Sequence, residues 1–477
     1  MRSLALTGLV LVAYGCRSTP EPAEDAMTVA IPASYSGDAS SEPIGAEPWW
    51  TTFGDPTLDA AVEAALEGNF ELRQAWARLR EASALSRIAG APRYPTLDLN
   101  VSGTFQEITQ LSGDAANIPI RTGEFYSLGL ALGYEVDLFG RIDSELKAAR
   151  LEEIATAADV RATGLLLSGS AADAWISIVE QSALEDLVDE QIEVGRQLLE
   201  VTENRFATGS GSALDVLQQR RQLEGTRAEA PRVEGEGERA RHQLAVLAGR
   251  PPRDTIVDAP RRLPDLPPLP PLDVPAALLR HRPDVAAAAR RVESADANVA
   301  AALADRYPRL TLSANFSFDA AEIADLFDRT IELIAASLAT PLVDGGRRRA
   351  EVERRRAVLE GAMDAFQLAF LTALQEVEDA LSLERRGVER LAVLESQATI
   401  AREELVQARL RYAGGVDTYL QVLAAVQNLQ LLERELVTER AGLLRARSQL
   451  HRALGGAWTD QLEPPVQESE NDDSSES

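Results

Sequence analysis

Three histidines, one cysteine and a short glycine–serine run are the residues with chemical potential in this chain of 477 residues. His242, His281 and His451 are scattered, and none has another His or Cys at metal-ligand spacing. Each is expected as a solvated surface residue, and no metal site is expected. Gly209-Ser210-Gly211-Ser212 has the glycines of a phosphate-cradling loop but no lysine at the required place, so it is expected as a turn. No nucleophile–base constellation stands out. The chain therefore reads as a non-enzyme with no bound cofactor.

Cys16 has a different chemistry. Arg2 starts a targeting segment, and positions 4–13 form an apolar run of about ten residues, too short to span a bilayer as a helix. The run leads into Ala13-Tyr14-Gly15-Cys16, which resembles a bacterial lipobox. Cys16 is then acylated and becomes the first residue of the mature protein. The lipobox pattern prefers Leu where Ala13 stands and a small residue where Tyr14 stands. Arg17 follows where an inner-membrane retention signal would place Asp, which favours sorting to the outer membrane. With a single cysteine no disulfide framework exists. Beyond the signal no apolar run is long enough for a transmembrane helix, so a membrane crossing would have to use strands.

The net charge is −27. The tail from 463 holds six acids and no base, and the rest still carries −21. That balance argues against nucleic-acid binding, which needs a basic face. Aromatic residues make up only 5% and charged residues 26%, a mixture suited to long exposed helices.

The chain is written twice. Arg93-Tyr94-Pro95 recurs as Arg306-Tyr307-Pro308, at an offset of 213. Asp137-Leu138-Phe139-Gly140-Arg141 recurs approximately as Val343-Asp344-Gly345-Gly346-Arg347, Arg205-Phe206 as Arg411-Tyr412, and Gln243-Leu244 as Gln449-Leu450, all at 206. The seven extra residues of the first copy are expected in a surface loop. The organisation that follows is a lipoprotein signal (1–15), an extended N-terminal arm (16–56), a first repeat (57–249), a proline-rich linker (250–275), a second repeat (276–457) and an acidic disordered tail (458–477).

Each repeat opens with a helix, about 57–89 and 274–305, ended by the Tyr-Pro pair. Strands follow with period-2 alternation, at about 95–109 and 124–138, then 309–319 and 331–342. Leu97, Leu99, Val101 and Phe105 alternate with Asp98, Asn100, Ser102 and Thr104. Such strands fit a barrel wall with a wet lumen, and equally a half-buried soluble sheet. Between 121 and 230, and again between 342 and 463, there is no proline. Helical patterning from about 143 to 207 predicts a helix of roughly 100 Å. Leu184, Leu187, Gln191, Val194, Leu198 and Val201 follow 3/4 spacing, and Val422, Leu429, Leu436, Leu443 and Leu450 recur every seven, as in paired helices. The helices turn back at tips near 208–212 and 413–416. Four strands cannot close a barrel and an open edge is not tolerated in lipid, so the layout favours an oligomer.

The chain resembles the TolC family of outer-membrane factors, in its OprM-like lipoprotein branch. Trp49-Trp50 with Phe53-Gly54-Asp55-Pro56, Tyr94-Pro95, Glu135-Val136-Asp137-Leu138-Phe139-Gly140-Arg141, Arg282-Pro283-Asp284-Val285, Pro341-Leu342-Val343-Asp344-Gly345-Gly346 and Leu454-Gly455-Gly456-Trp458 carry the resemblance. It implies a mixed α and β fold, a homotrimer whose 12-stranded transmembrane β-barrel (four strands per protomer) continues into a long α-helical coiled-coil barrel. It also implies a passive efflux duct in outer-membrane lipid, fed by an inner-membrane pump of the resistance-nodulation-division type through a periplasmic membrane-fusion adaptor. The competing reading is a lipid-anchored periplasmic coiled-coil scaffold without a channel.

The resemblance also places function at the tips. Adaptor docking falls on Thr208, Gly209, Ser210 and Gly211 and on Ala413, Gly414, Gly415 and Val416. A closing gate falls on Asp215 and Tyr412, which can hydrogen-bond, with Asp417 adding negative charge at the mouth. The second copy departs from the family: Gln421 and Ala424 stand where acids are common, and Asp417 stands where an arginine can lock the gate.

Overall fold

The computed structural model describes residues 30–36, 47–109, 120–272 and 274–464. The expected signal segment, Cys16 and positions 465–477 of the tail lie outside the described residues. In chain order the helices are α1 (Pro56–Gly68), α2 (Phe70–Gly90), α3 (Arg141–Ala207), α4 (Ala213–Arg227), α5 (Glu229–Leu247), α6 (Leu278–His281), α7 (Pro283–Ala304), α8 (Arg347–Ala413) and α9 (Tyr419–Leu454). The strands are β1 (Thr96–Thr109), β2 (Ile120–Val136), β3 (Arg309–Ala320) and β4 (Thr330–Ala339). Two units emerge, one from 80–155 with 288–366, the other from 29–79, 156–287 and 367–477.

The first unit is built on one antiparallel sheet in the order β1-β2-β3-β4. Its register aligns like with like. Leu97 faces Leu132, which faces Ala314, which faces Ile334, and Leu99, Leu130 and Phe316 form the next row. The opposite face runs Asp98, Ala131, Asn315 and Asn100, Gly129, Ser317. Across β1 to β3 these rows are apolar on one face and polar or small on the other, and β4 breaks the pattern with Glu332 opposite Phe316 and Leu333 opposite Asn315. Among the described residues nothing covers the apolar face, and Leu99 is 66% exposed. Sheet length differs between repeats: β1 and β2 hold 14 and 17 residues, β3 and β4 hold 12 and 10. The connections 110–119 and 321–329 are nearly equal in length. The extra residues of the first copy therefore lengthen the strands, where each added residue gains ladder hydrogen bonds, and not the loop.

The second unit has an aromatic core. Trp50 meets Trp458 edge-on at 4.8 Å, Trp49 donates from Nε1 to Ser168 Oγ at 3.1 Å, and Trp175 donates to Thr57 Oγ1 at 3.0 Å. Leu58, Val62, Trp175 and Leu244 are fully buried around them. His451 packs against this core and not on the solvated surface: its ring stacks on Trp49 at 5.5 Å, and its buried Nε2 has no hydrogen-bond partner among the described residues. Burial, aided by Arg447, pushes its pKa down to about 4. The residue enters the core because Trp49, far away in sequence, supplies the stacking face.

The opening helix of each repeat is broken, not continuous. In the first, Asn69 stops α1 and caps α2 by accepting from the backbone N–H groups of Glu71 and Leu72 at 2.8 and 3.0 Å. In the second, Pro283 forces the break at Arg282. The two breaks meet the same feature. A Cβ on Gly249 (φ 69°) would lie 2.2 Å from the Gly68 carbonyl oxygen, and one on Gly455 (φ 79°) 2.3 Å from that of His281. Glycine is required at both places by conformation and by contact.

α3 and α8 each contain 67 residues and begin 206 positions apart. At 1.5 Å per residue each is roughly 100 Å long. The heptad positions of α9 line a seam, with Val422, Leu436, Leu443 and Leu450 buried. In α3 the buried seam is Leu184, Val188 and Ile192, while Val201 stays exposed. The return helix of the first hairpin is two helices, because Pro231 in the first turn of α5 has no N–H to donate to the Arg227 carbonyl. α9 has no proline and runs 36 residues unbroken. Contrary to the sequence reading, both 67-residue helices contain an 18-residue stretch apolar enough to cross a membrane. In α3 that stretch is 67% buried by its own chain, but in α8 only 17%.

Arg447 is a keystone of the second unit. Its side chain is 3% exposed, pairs with Glu384 (Nε to Oε2 3.0 Å) and donates to the Pro267 carbonyl of the linker. Arg447→Ala would strand Glu384 in the interior and is expected to cost about 3–5 kcal/mol. A thermal midpoint equal to the parent's would contradict that assignment.

Candidate functional site

Both hairpin tips are built by the same local rule. α3 ends with Gly209 in the left-handed region, closed by Ser210 N–H to Arg205 O (2.9 Å) and Gly209 N–H to Phe206 O (3.0 Å). α8 ends identically, with Val416 N–H to Arg411 O (2.9 Å) and Gly415 N–H to Tyr412 O (3.1 Å). These are Schellman caps, which explains the glycine in each expected tip. Ser212 then caps α4 and Asp215 completes a capping box, accepting from Ser212 N–H at 3.3 Å. Thr208, Ser210 and Gly414 lie at the exposed tips with Phe206, Leu214 and Val416.

The expected pair is in contact: Tyr412 Oη donates to Asp215 Oδ2 at 3.2 Å. Burial, then the Asp215 carboxylate, pushes the Tyr412 hydroxyl above its ordinary pKa. Asp417 does not join them. It is held by Arg411 across the turn, and that hydrogen-bonded guanidinium keeps its carboxyl below the usual range. The negative charge expected at the mouth is therefore neutralised within its own loop. Gln421 and Ala424 are exposed.

Sequence reasoning missed the rest of the cluster. The Arg205 guanidinium lies 4.6 Å over the Tyr412 ring and donates to the Ser210 carbonyl at 3.2 Å. Tyr419 packs edge-on against Tyr412 at 5.2 Å and donates from its hydroxyl to Gln219 Oε1. Gln219 in turn donates to the Gly195 carbonyl at 2.9 Å. Further along, Gln427 donates to Gln222 Oε1 (2.6 Å) and Gln222 to Gln430 Oε1 (3.0 Å). α4 of the first repeat is thus zipped to α9 of the second by neutral amides. The one available signal was Arg205, which occupies the repeat position of Arg411.

The comparisons with known proteins agree with this architecture. The family model described as outer membrane efflux protein matches residues 61–250 and 274–456. The chain belongs to that family. It is 31% identical to the pyoverdine export outer membrane protein OpmQ of Pseudomonas aeruginosa, over 96% of this chain and 97% of that one. It is 30% identical to the outer membrane protein OprJ of the same organism, over 95% of each. The solved outer-membrane channel OprN superposes with a TM-score of 0.83 at 32% identity, covering 90% of this chain and 97% of that one. The solved channel CusC superposes at 0.82 with 25% identity, covering 90% and 98%.

Proposed function

We infer that the protein is the outer-membrane exit duct of an efflux system, assembled from three copies. The carrying observation is the four-stranded sheet whose first three strands share an apolar face over the rows of Leu97, Leu99 and Val101, on a chain that also holds two 67-residue helices. An apolar face of this extent needs lipid beside it. β1 and β4 are the edge strands of the sheet, and their outer edges would have to pair with strands of neighbouring copies in a membrane. Three copies supply twelve strands and would cover the exposed leucines of α8, such as Leu368 and Leu383. Cys16 carries the lipid anchor in this reading. The tips, Thr208 to Gly211 and Ala413 to Val416, receive a periplasmic adaptor that links the duct to an inner-membrane pump of the resistance-nodulation-division type. The Tyr412–Asp215 bond, braced by Arg205 and Tyr419, is the resting latch.

The purified protein is expected to migrate as a heat-sensitive trimer and to conduct ions in planar bilayers. A monomer without conductance would instead favour the lipid-anchored scaffold. Cysteines placed at Ser210 and Gly414 should cross-link to the adaptor, and capture only from mid-helix positions would remove docking from the tips.

A further inference from the structure

Two clefts in the first unit occupy equivalent places in the two repeats. One, of about 350 Å³, is lined by Arg93, Asp143, Lys147, Arg150 and Ile154. The other, of about 340 Å³, is lined by Arg306, Arg349, Val352, Glu353 and Arg356. Arg93 and Arg306 are related by the offset of 213, while Asp143 and Arg349, Lys147 and Glu353, and Arg150 and Arg356 are related by 206. The identities at these positions have changed, yet each cleft retains three cations and one carboxylate. The carboxylates are matched, Asp143 to Arg93 and Glu353 to Arg349, each at 3.1 Å. The remaining two cations of each cleft form no ion pair among the described residues. A chain of net charge −27 has kept a local excess of positive charge at the same place twice.

The location narrows the ligand. β1 begins three residues after Arg93 and β3 three residues after Arg306, and α3 and α8 start beside the same end of the sheet. Arg150 and Arg356 lie nine residues into those helices, roughly 13 Å, but helical side chains lean toward the N-terminus and so toward the sheet. Tyr94 and Tyr307 are exposed beside the clefts, and Leu342 and Val343 are 87% and 93% exposed at the end of β4. Exposed aromatic and aliphatic residues at the rim of a membrane sheet, followed at once by unpaired cations, match the depth order of acyl chain and headgroup.

We propose that the two clefts bind the phosphate headgroups of anionic phospholipids in the periplasmic leaflet, two per chain. The proposal rests on reading the sheet as the membrane wall. Each chain then holds the inner leaflet at two near-equivalent points, immediately below the barrel.

The test uses the full-length protein in detergent, incubated with phosphatidylglycerol or with phosphatidylcholine and weighed intact with its retained lipids. Phosphatidylglycerol should be retained at least about five-fold over phosphatidylcholine, the preference that one surface cation gives an anionic lipid. The variant Lys147→Gln/Arg150→Gln/Arg306→Gln/Arg356→Gln should lose that preference. Asp143→Asn with Glu353→Gln, which removes only the carboxylates, should increase retention. If the four-fold variant does not assemble, this second variant decides, and unchanged retention in it overturns the proposal. Displacement of phosphatidylglycerol by millimolar inorganic phosphate would make these free-anion sites and also overturn it. So would altered ion selectivity with unchanged lipid retention, which would put the clefts on the lumen side. A parent that fails to conduct sinks the channel reading itself, whereas a conducting parent without lipid preference sinks only the lipid sites.

Discussion

Tyr412→Phe is expected to raise the open probability of single channels by on the order of a hundredfold in the open-to-closed ratio. The substitution removes one hydroxyl and keeps the ring that packs under Arg205 and against Tyr419. The lost bond to Asp215 is half-buried and joins two helical hairpins, so about 1 kcal/mol per chain is a moderate estimate. In the proposed trimer, three such bonds released together would give about 3 kcal/mol, which is the source of the hundredfold figure. Asp215→Ala should act in the same direction, with an added loss from the capping box at Ser212. Asp417→Ala should do little, because its partner Arg411 sits in the same turn and the pair ties nothing to the other hairpin. Bilayer recordings of the three variants separate the cases. Parent-level gating in Tyr412→Phe would remove the bond as the latch, and opening by Asp417→Ala alone would move the latch to the second tip.

What the sequence disclosed follows from which forces are local. Alternation through Leu97, Leu99 and Val101 reveals a strand because both faces keep one polarity from 97 to 105. β4 hides its alternation. Glu332 and Thr330 fall on the apolar face opposite Phe316 and Phe318, while Ile331 and Leu333 fall on the other. These positions adjoin the β3–β4 connection, where a membrane wall would be leaving hydrocarbon and depth no longer imposes polarity. The absence of proline predicts the long helices, whereas the break at Asn69 also depends on a bond from its amide to the Leu247 carbonyl, 178 residues away. At the tips, the Tyr412–Asp215 contact came from resemblance. The partner of Asp417 needed the turn itself: a Schellman cap brings residues six apart together, and no periodicity announces that. The glutamine zipper was equally hidden, since Gln222, Gln427 and Gln430 read as ordinary exposed helix positions until two repeats are laid side by side.

The second large effect concerns Asp173, on the part of α3 that packs in the second unit. Its Oδ1 is buried and accepts no hydrogen bond among the described residues. Arg445, one of the two nearby cations, is instead engaged with Ser177 and Glu180, at 2.9 and 2.5 Å. Burial therefore outweighs the attraction of Arg452 and Arg445 and pushes the Asp173 carboxyl up to about 6. The native state then holds this proton more tightly than the unfolded chain, whose value is near 3.8. Its contribution favours folding fully below the unfolded value and is lost as pH rises through about 6. A side-chain amide in its place would mimic the neutral acid at every pH. Asp173→Asn is thus expected to stabilise the protein by about 3 kcal/mol at pH 8, falling to about half of that at pH 5. Thermal or denaturant midpoints of parent and variant at the two pH values check this. An equal gain at both would mean that packing, not ionisation, is responsible. A loss at pH 8 would mean that the carboxylate is charged and paired in the assembled duct, and that Arg452 turns to it there.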